Sequence, residues 1–148
     1  MKGGGFNPMR WDCEKRECFN KKRRPKIELF ADCFPRNISF GDVDAEVEIN
    51  GHFLQLEWKT YIGSPPGGQL IKFHHYTRRP GFNVIVVCGD AETMKIEAFQ
   101  IWDNGDGGAW TAASFHDLKS LVARWANWAQ HDDFSQSWLC SPAASKAI

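Results

Sequence analysis

Two carboxylates and a lysine, Asp44, Glu57 and Lys59, stand in a stretch whose pattern places them on one face of a β-hairpin (residues 41–59, GDVDAEVEINGHFLQLEWK). Asn50-Gly51 is a strong signal for a two-residue type I′ turn, because both central residues must accept positive φ. Before the turn, Val43, Ala45, Val47 and Ile49 share one face, and Asp44, Glu46 and Glu48 share the other. After it, Leu54, Leu56 and Trp58 alternate with Phe53, Gln55, Glu57 and Lys59. With Asn50 and Gly51 as the loop, Ile49 opposes His52, so Asp44 falls across from Glu57 and Asp42 across from Lys59. Directly opposed side chains have Cβ atoms roughly 4.5–5.5 Å apart, and like charges there repel. A hard divalent cation such as Mg²⁺ or Mn²⁺, which prefers oxygen ligands, would relieve that repulsion. The hairpin is therefore a candidate metal site, and the competing reading is a solvated face of mixed charge. Asp42 is a rival to Asp44, but the register sets it against Lys59.

The elements around the hairpin follow from periodicity. Ile27, Phe30, Ala31 and Phe34 recur at helical spacing, with Pro25 suited to the first turn and Pro35 to the end. Glu28 lies on a different face of that helix and points either into a site beneath it or to solvent. Residues 61–68, with Ser64-Pro65-Pro66-Gly67-Gly68, form a loop. Residues 69–77 read as a helix with Leu70, Phe73 and Tyr76 inward, stopped by Pro80-Gly81. Residues 82–88 (FNVIVVC) are a nearly continuous β-branched run, the pattern of a strand buried on both faces. Residues 94–102 alternate as a further strand, and DNGDGG at 103–108 is a turn that lacks the spacing and final glutamate of an EF-hand. Residues 114–130 form the clearest helix, capped by Ser114 with Asp117 three residues on. Its stripe of Leu118, Leu121, Val122, Trp125, Trp128 and Ala129 reads as core. From His131 onward the chain is polar. The order of elements predicts an α/β fold.

Composition narrows the class. At 148 residues, 43% hydrophobic and with seven tryptophans, the chain is expected to be one domain with a real core, with 1–8 and 142–148 as flexible tails. No run of about 18 apolar residues and no apolar leader is present, so a membrane span is not expected and a cytoplasmic location is. Five cysteines without an export signal argue against a disulfide framework. Cys13 and Cys18 at C-x4-C spacing, with Cys33 as a third thiolate, leave structural Zn²⁺ open alongside free thiols. Formal net charge is zero, yet ten of the 18 Lys and Arg residues precede Asn37. The densest run, Lys21, Lys22, Arg23, Arg24 and Lys26, is a candidate contact for nucleic-acid phosphates, or else a solvated face. His74 and His75 invite a zinc reading, but neighbours on a helix point roughly 100° apart, so at most one joins the carboxylates.

Asp44 followed by Glu57-Trp58-Lys59 at the end of an apolar strand resembles the PD-(D/E)XK nuclease superfamily motif. GDVD followed by LEWKT is similar to the RecB-like and Holliday-junction-resolvase-like branches, and Gln69 with Phe73 resembles their Gln-x3-Tyr motif with phenylalanine in place of tyrosine. The resemblance covers residues 28–88. It implies a restriction-endonuclease-like core, a central mixed β-sheet (hairpin plus buried strands) flanked by helices. It implies a metal-dependent DNA nuclease, with Asp44 and Glu57 holding Mg²⁺ or Mn²⁺ and Lys59 assisting the attacking water. By the same pattern Glu28 is an auxiliary acid, and Gln69 positions Lys59, a metal-bound water or nucleic acid. Small phage-encoded proteins often carry such a core, which would place this one in the host cytoplasm. Its partner would be DNA, branched DNA included, and resolvases of the superfamily are commonly homodimers. The alternative is a non-catalytic nucleic-acid or protein binder on the same fold, such as an antagonist of host defence.

Overall fold

Asn50 and Gly51 take φ of 53° and 80°, the mirror-image turn that the Asn-Gly pair predicts. The strands it joins, β1 (Ala45–Ile49) and β2 (His52–Lys59), pair antiparallel in the expected register, from Ile49 opposite His52 to Ala45 opposite Leu56. The computed structural model describes residues 25–140. The chain divides into two compact units, residues 1–42 and residues 43–148.

Of the first unit, residues 25–42 are described. The helix expected there is a 3-10 helix, Ile27–Cys33, without a side-chain cap at its start. Phe40 meets the rings of Phe30 and Phe34 edge-on, with centroids 5.6 and 5.0 Å away. None of its helical residues is buried, so the amphipathic pattern here supplies a local aromatic cluster in place of a packed α-helical face.

The second unit is α/β, built on one open, mixed sheet. β2 pairs parallel with β3 (Phe82–Asp90), and β3 pairs antiparallel with β4 (Lys95–Asp103). The parallel pair requires a crossover, which the helix α1 (Gly67–Thr77) provides. Two short strands, β5 (Asp106–Gly107) and β6 (Thr111–Ala112), both pair with β4 and bring the sheet to six strands. Asn104 and Gly105, both at positive φ, form the two-residue loop between β4 and β5. The long helix α2 (Phe115–His131) starts in a capping box: Ser114 Oγ accepts from the Asp117 N–H, and Asp117 Oδ2 accepts from the Ser114 N–H at 2.7 Å. No helix among the described residues is long and apolar enough to cross a membrane.

β3 is buried from Asn83 to Gly89, as its β-branched run predicts, and it separates two apolar clusters. On one side Ile85 and Val87 pack with Leu54, Leu118, Leu121, Trp125, Trp128 and Ala129, so the tryptophan stripe of α2 is core. On the other side Val84 and Val86 pack with Phe73 of α1 and Trp102. Helices therefore cover both faces of the sheet, and Glu57 and Lys59 lie on the α1 side.

Two expectations change, and one segment gains a structure for which no element was expected. Leu70 is 42% exposed, because Phe73 and Thr77 alone take the buried face of α1. Val43 and Val47 are exposed as well, since β1 is the edge of the sheet and Val43 precedes it. The polar stretch after His131 is structured through Cys140: Trp138 is fully buried in the main cluster, and Phe134 stacks on the His52 ring at 4.1 Å. His52 is itself fully buried, with Nε2 2.9 Å from Asp132 Oδ2 and Nδ1 3.0 Å from the Asn50 carbonyl. Asn50 Nδ2 donates to the carbonyls of Ala129 and Asp132, so the hairpin turn also closes the end of α2.

Phe134 leaves no room at Gly81, which has φ of +81° and whose added Cβ would lie 2.7 Å from that ring. Gly81→Ala is expected to destabilise by about 2 kcal/mol or more, combining the left-handed backbone cost with displacement of Phe134. Urea unfolding checks this against Gly68→Ala, whose methyl meets open space in α1 and which is expected to be neutral or stabilising.

Candidate metal-binding and catalytic site

Glu57 and Lys59 sit on β2 where it pairs with β3, opposite Val86 and Cys88. Their period-two spacing puts them on one face, and pairing with β3 holds this stretch on one side while the β1 ladder ends at Leu56 on the other. Lys59 Nζ lies 3.1 Å from Glu57 Oε1, and the two side chains are only 18% and 12% exposed. Ion pairs near a surface contribute less than about 1 kcal/mol to stability. Positioning is therefore the larger consequence of this one.

Gln69 joins them. It lies in the first turn of α1, and its Nε2 donates to Glu57 Oε1 at 2.5 Å. Glu57 Oε1 thus accepts two hydrogen bonds, while Oε2 accepts none from a described residue. The other end of the amide, Gln69 Oε1, is buried with no partner. The α1 helix is anchored further along by Tyr76, whose hydroxyl donates to Glu46 Oε2 at 3.2 Å, and Gln55 Nε2 donates to the same oxygen at 2.8 Å. Burial, together with the neighbouring Glu46 carboxylate, pushes the Tyr76 phenol well above its ordinary range, so it stays a hydrogen-bond donor. Helix and hairpin are tied at Glu46 and again at Glu57.

Asp44 takes a position different from a simple cross-strand pair. The ladder ends at Ala45 opposite Leu56, and Asp44 lies one residue beyond it, exposed. Its Oδ2 accepts from the backbone N–H of Trp58 at 2.6 Å, so a carboxylate replaces the carbonyl that a longer strand would offer. Trp58 is held in turn by its indole N–H, which donates to the Gly89 carbonyl at 3.0 Å, next to the β-bulge at Cys88/Gly89. Trp58 and Gly89 are positioning residues that the motif alone does not reveal; the signal is a tryptophan between the glutamate and the lysine.

The donor set suits a hard cation. Asp44 Oδ1 and Glu57 Oε2 accept from no described residue, and Gln69 Oε1 is an orphaned buried oxygen of the kind a bound ion or its water would satisfy. Among the described residues no group of three or more His, Cys, Asp and Glu side chains is arranged to hold a metal, so protein ligands beyond the two carboxylates would have to come from amide or backbone oxygens.

The two histidines do not join these carboxylates. His74 Nδ1 is 2.8 Å from the Gly105 carbonyl and His75 is exposed, so both imidazoles are turned away from Glu57. Asp42 is exposed and outside the ladder. Glu28 and Lys26 belong to the first unit, Glu28 on an exposed part of the 3-10 helix. Cys33 is an exposed free thiol, with Sγ 3.9 Å from Asp32 Oδ1. Cys13, Cys18, Lys21, Lys22, Arg23 and Arg24 lie outside the described residues. A cleft of about 340 Å³ between the β2–α1 loop and β4 is lined by Pro65, Leu70, Trp102 and Trp110, and by none of Asp44, Glu57, Lys59 and Gln69. Comparison with protein-family profiles, with curated proteins and with solved structures returns no match.

Proposed function

We propose that the chain is a Mg²⁺- or Mn²⁺-dependent nuclease that hydrolyses DNA phosphodiester bonds on a core of the restriction-endonuclease-like, PD-(D/E)XK type. The observation that carries this reading is the meeting of Glu57, Lys59 and Gln69: Lys59, two residues along the strand, and Gln69, from the following helix, both donate to Glu57 Oε1. A purely structural carboxylate has little need of a lysine and a buried glutamine amide together.

Asp44 and Glu57 would hold the ion, which lowers the pKa of a bound water and stabilises the charge of the pentavalent transition state. Gln69 and Lys59 occupy Oε1 of Glu57 and leave Oε2 for the ion. Lys59 Nζ, a compact charge on a side chain held by its ion pair, orients the attacking water and offsets charge on the phosphate. The Trp58 N–H fixes Asp44, so the acid is placed before substrate arrives.

Incubating the purified chain with supercoiled, linear and branched DNA in Mg²⁺, Mn²⁺ or EDTA tests the reading. Cleavage that requires the divalent ion is the expected result. Intact DNA in every metal condition sinks it.

A further inference from the structure

From Thr60 to Gly89 the chain contains no Asp or Glu, although the whole chain has as many acidic as basic residues. That acid-free stretch carries Lys72, Arg78 and Arg79 together with His74 and His75. All of it leads away from Gln69, the residue bonded to Glu57.

The helix sorts these side chains by position. Phe73 and Thr77 face the sheet. At 100° per residue, Lys72 and His75 lie three apart and share the opposite side, and Arg79 follows in the bend just past the end of α1. Arg78 continues the helical conformation, with φ −72° and ψ −9°. Lys72, His75, Arg78 and Arg79 are all exposed. None of the three permanent cations makes an ion pair or side-chain hydrogen bond with a described residue. Helix C-termini favour cations, which accounts for Arg78. That preference does not account for Lys72, nor for the lack of any carboxylate over thirty consecutive positions.

We infer that the outward face of α1 and the turn that ends it, through Lys72, His75, Arg78 and Arg79, form a track for the phosphodiester backbone of the nucleic acid cut at Glu57. The inference rests on the nuclease reading, because it is the scissile phosphate at Glu57 that gives this face its partner. Charge complementarity selects that partner: a second copy of the same cationic face would be repelled, while a polyanion can set a phosphate against each cation. Scale agrees as well. Lys72 to the C-cap Arg78 spans nearly two turns, roughly 9 Å, which matches between two and three nucleotide steps of a duplex strand, at roughly 3.4 Å each. These contacts would position the strand and carry no sequence preference.

The test uses the full chain carrying Glu57→Gln, so that DNA is bound and not consumed. Fluorescence anisotropy with a labelled duplex and a labelled four-way junction is recorded between about 50 and 200 mM salt. Adding Lys72→Gln and Arg79→Gln is expected to weaken binding to both probes at least tenfold. The slope of log affinity against log salt should flatten by about 2, one for each phosphate that is no longer neutralised. Lys119→Gln, on α2 with its ammonium over the Phe115 ring, is expected to change neither. Because Lys72 and Arg79 are exposed and unpaired, the melting temperature should not move. If the double variant keeps the affinity and salt slope while the wild-type chain cleaves DNA, the inference fails and the nuclease reading stands. If the unsubstituted chain neither binds nor cleaves, both fail. Preference of this face for polyglutamate over DNA in competition also overturns the inference.

Discussion

Glu57→Gln is expected to lower metal-dependent cleavage by roughly 10²–10³-fold, the loss typical when one preorganised charge-stabilising group is removed from a catalytic centre. Glutamine keeps a carbonyl oxygen to accept from Lys59 Nζ and Gln69 Nε2, which lie 3.1 and 2.5 Å from the carboxylate. What it removes is the charge needed to hold a divalent ion. The fold should therefore persist, with unfolding midpoints close to the parent. A structural ion pair likewise predicts a stability change below about 1 kcal/mol, but no change in cleavage. Cleavage rates over a series of Mn²⁺ concentrations separate the two, with circular dichroism melts confirming that the variant is folded. A variant that cuts at the parental rate removes Glu57 from the chemistry.

The second large effect concerns stability. Trp138→Ala is expected to cost about 3–5 kcal/mol, the range for deleting a fully buried aromatic side chain. Trp138 is 0% exposed and joins the cluster formed by Leu54, Ile85, Trp125 and Trp128. It also fastens the segment that brings Asp132 and Phe134 against His52. Its removal should loosen that packing and, through Asn50, the turn of the hairpin. The neighbouring Leu139 is 45% exposed, so Leu139→Ala should stay within about 0.5 kcal/mol of the parent. Equal effects at the two positions would mean that the segment is not docked as described.

The main elements were legible because their signals are local. Period-two alternation, the Asn50-Gly51 turn and the β-branched run of β3 each act within a few residues, and strands form where they predict. The capping pair Ser114 and Asp117 marks the start of α2 for the same reason. Trp138 was missed because one tryptophan in a polar run has no period to reveal it. Spacing places Leu70 inward, yet spacing cannot say how wide a face the sheet will cover, and the residue is 42% exposed. The exposure of Val43 and Val47 is a property of being at the sheet edge, and alternation alone does not identify an edge.

The candidate site divides along the same line. The turn chemistry of Asn50-Gly51 and the pleat by themselves put Glu57 and Lys59 on one face and bring Asp44 to the open end of the same pair of strands. Only the tertiary structure decided what each carboxylate meets: Gln69 reaches Glu57 across a helical crossover, and Asp44 is held by the N–H of Trp58 beyond the last ladder pair. The physical reason is range. A strand's face is fixed by its own backbone, whereas the partner of a side chain is fixed by packing between elements that are distant in the chain.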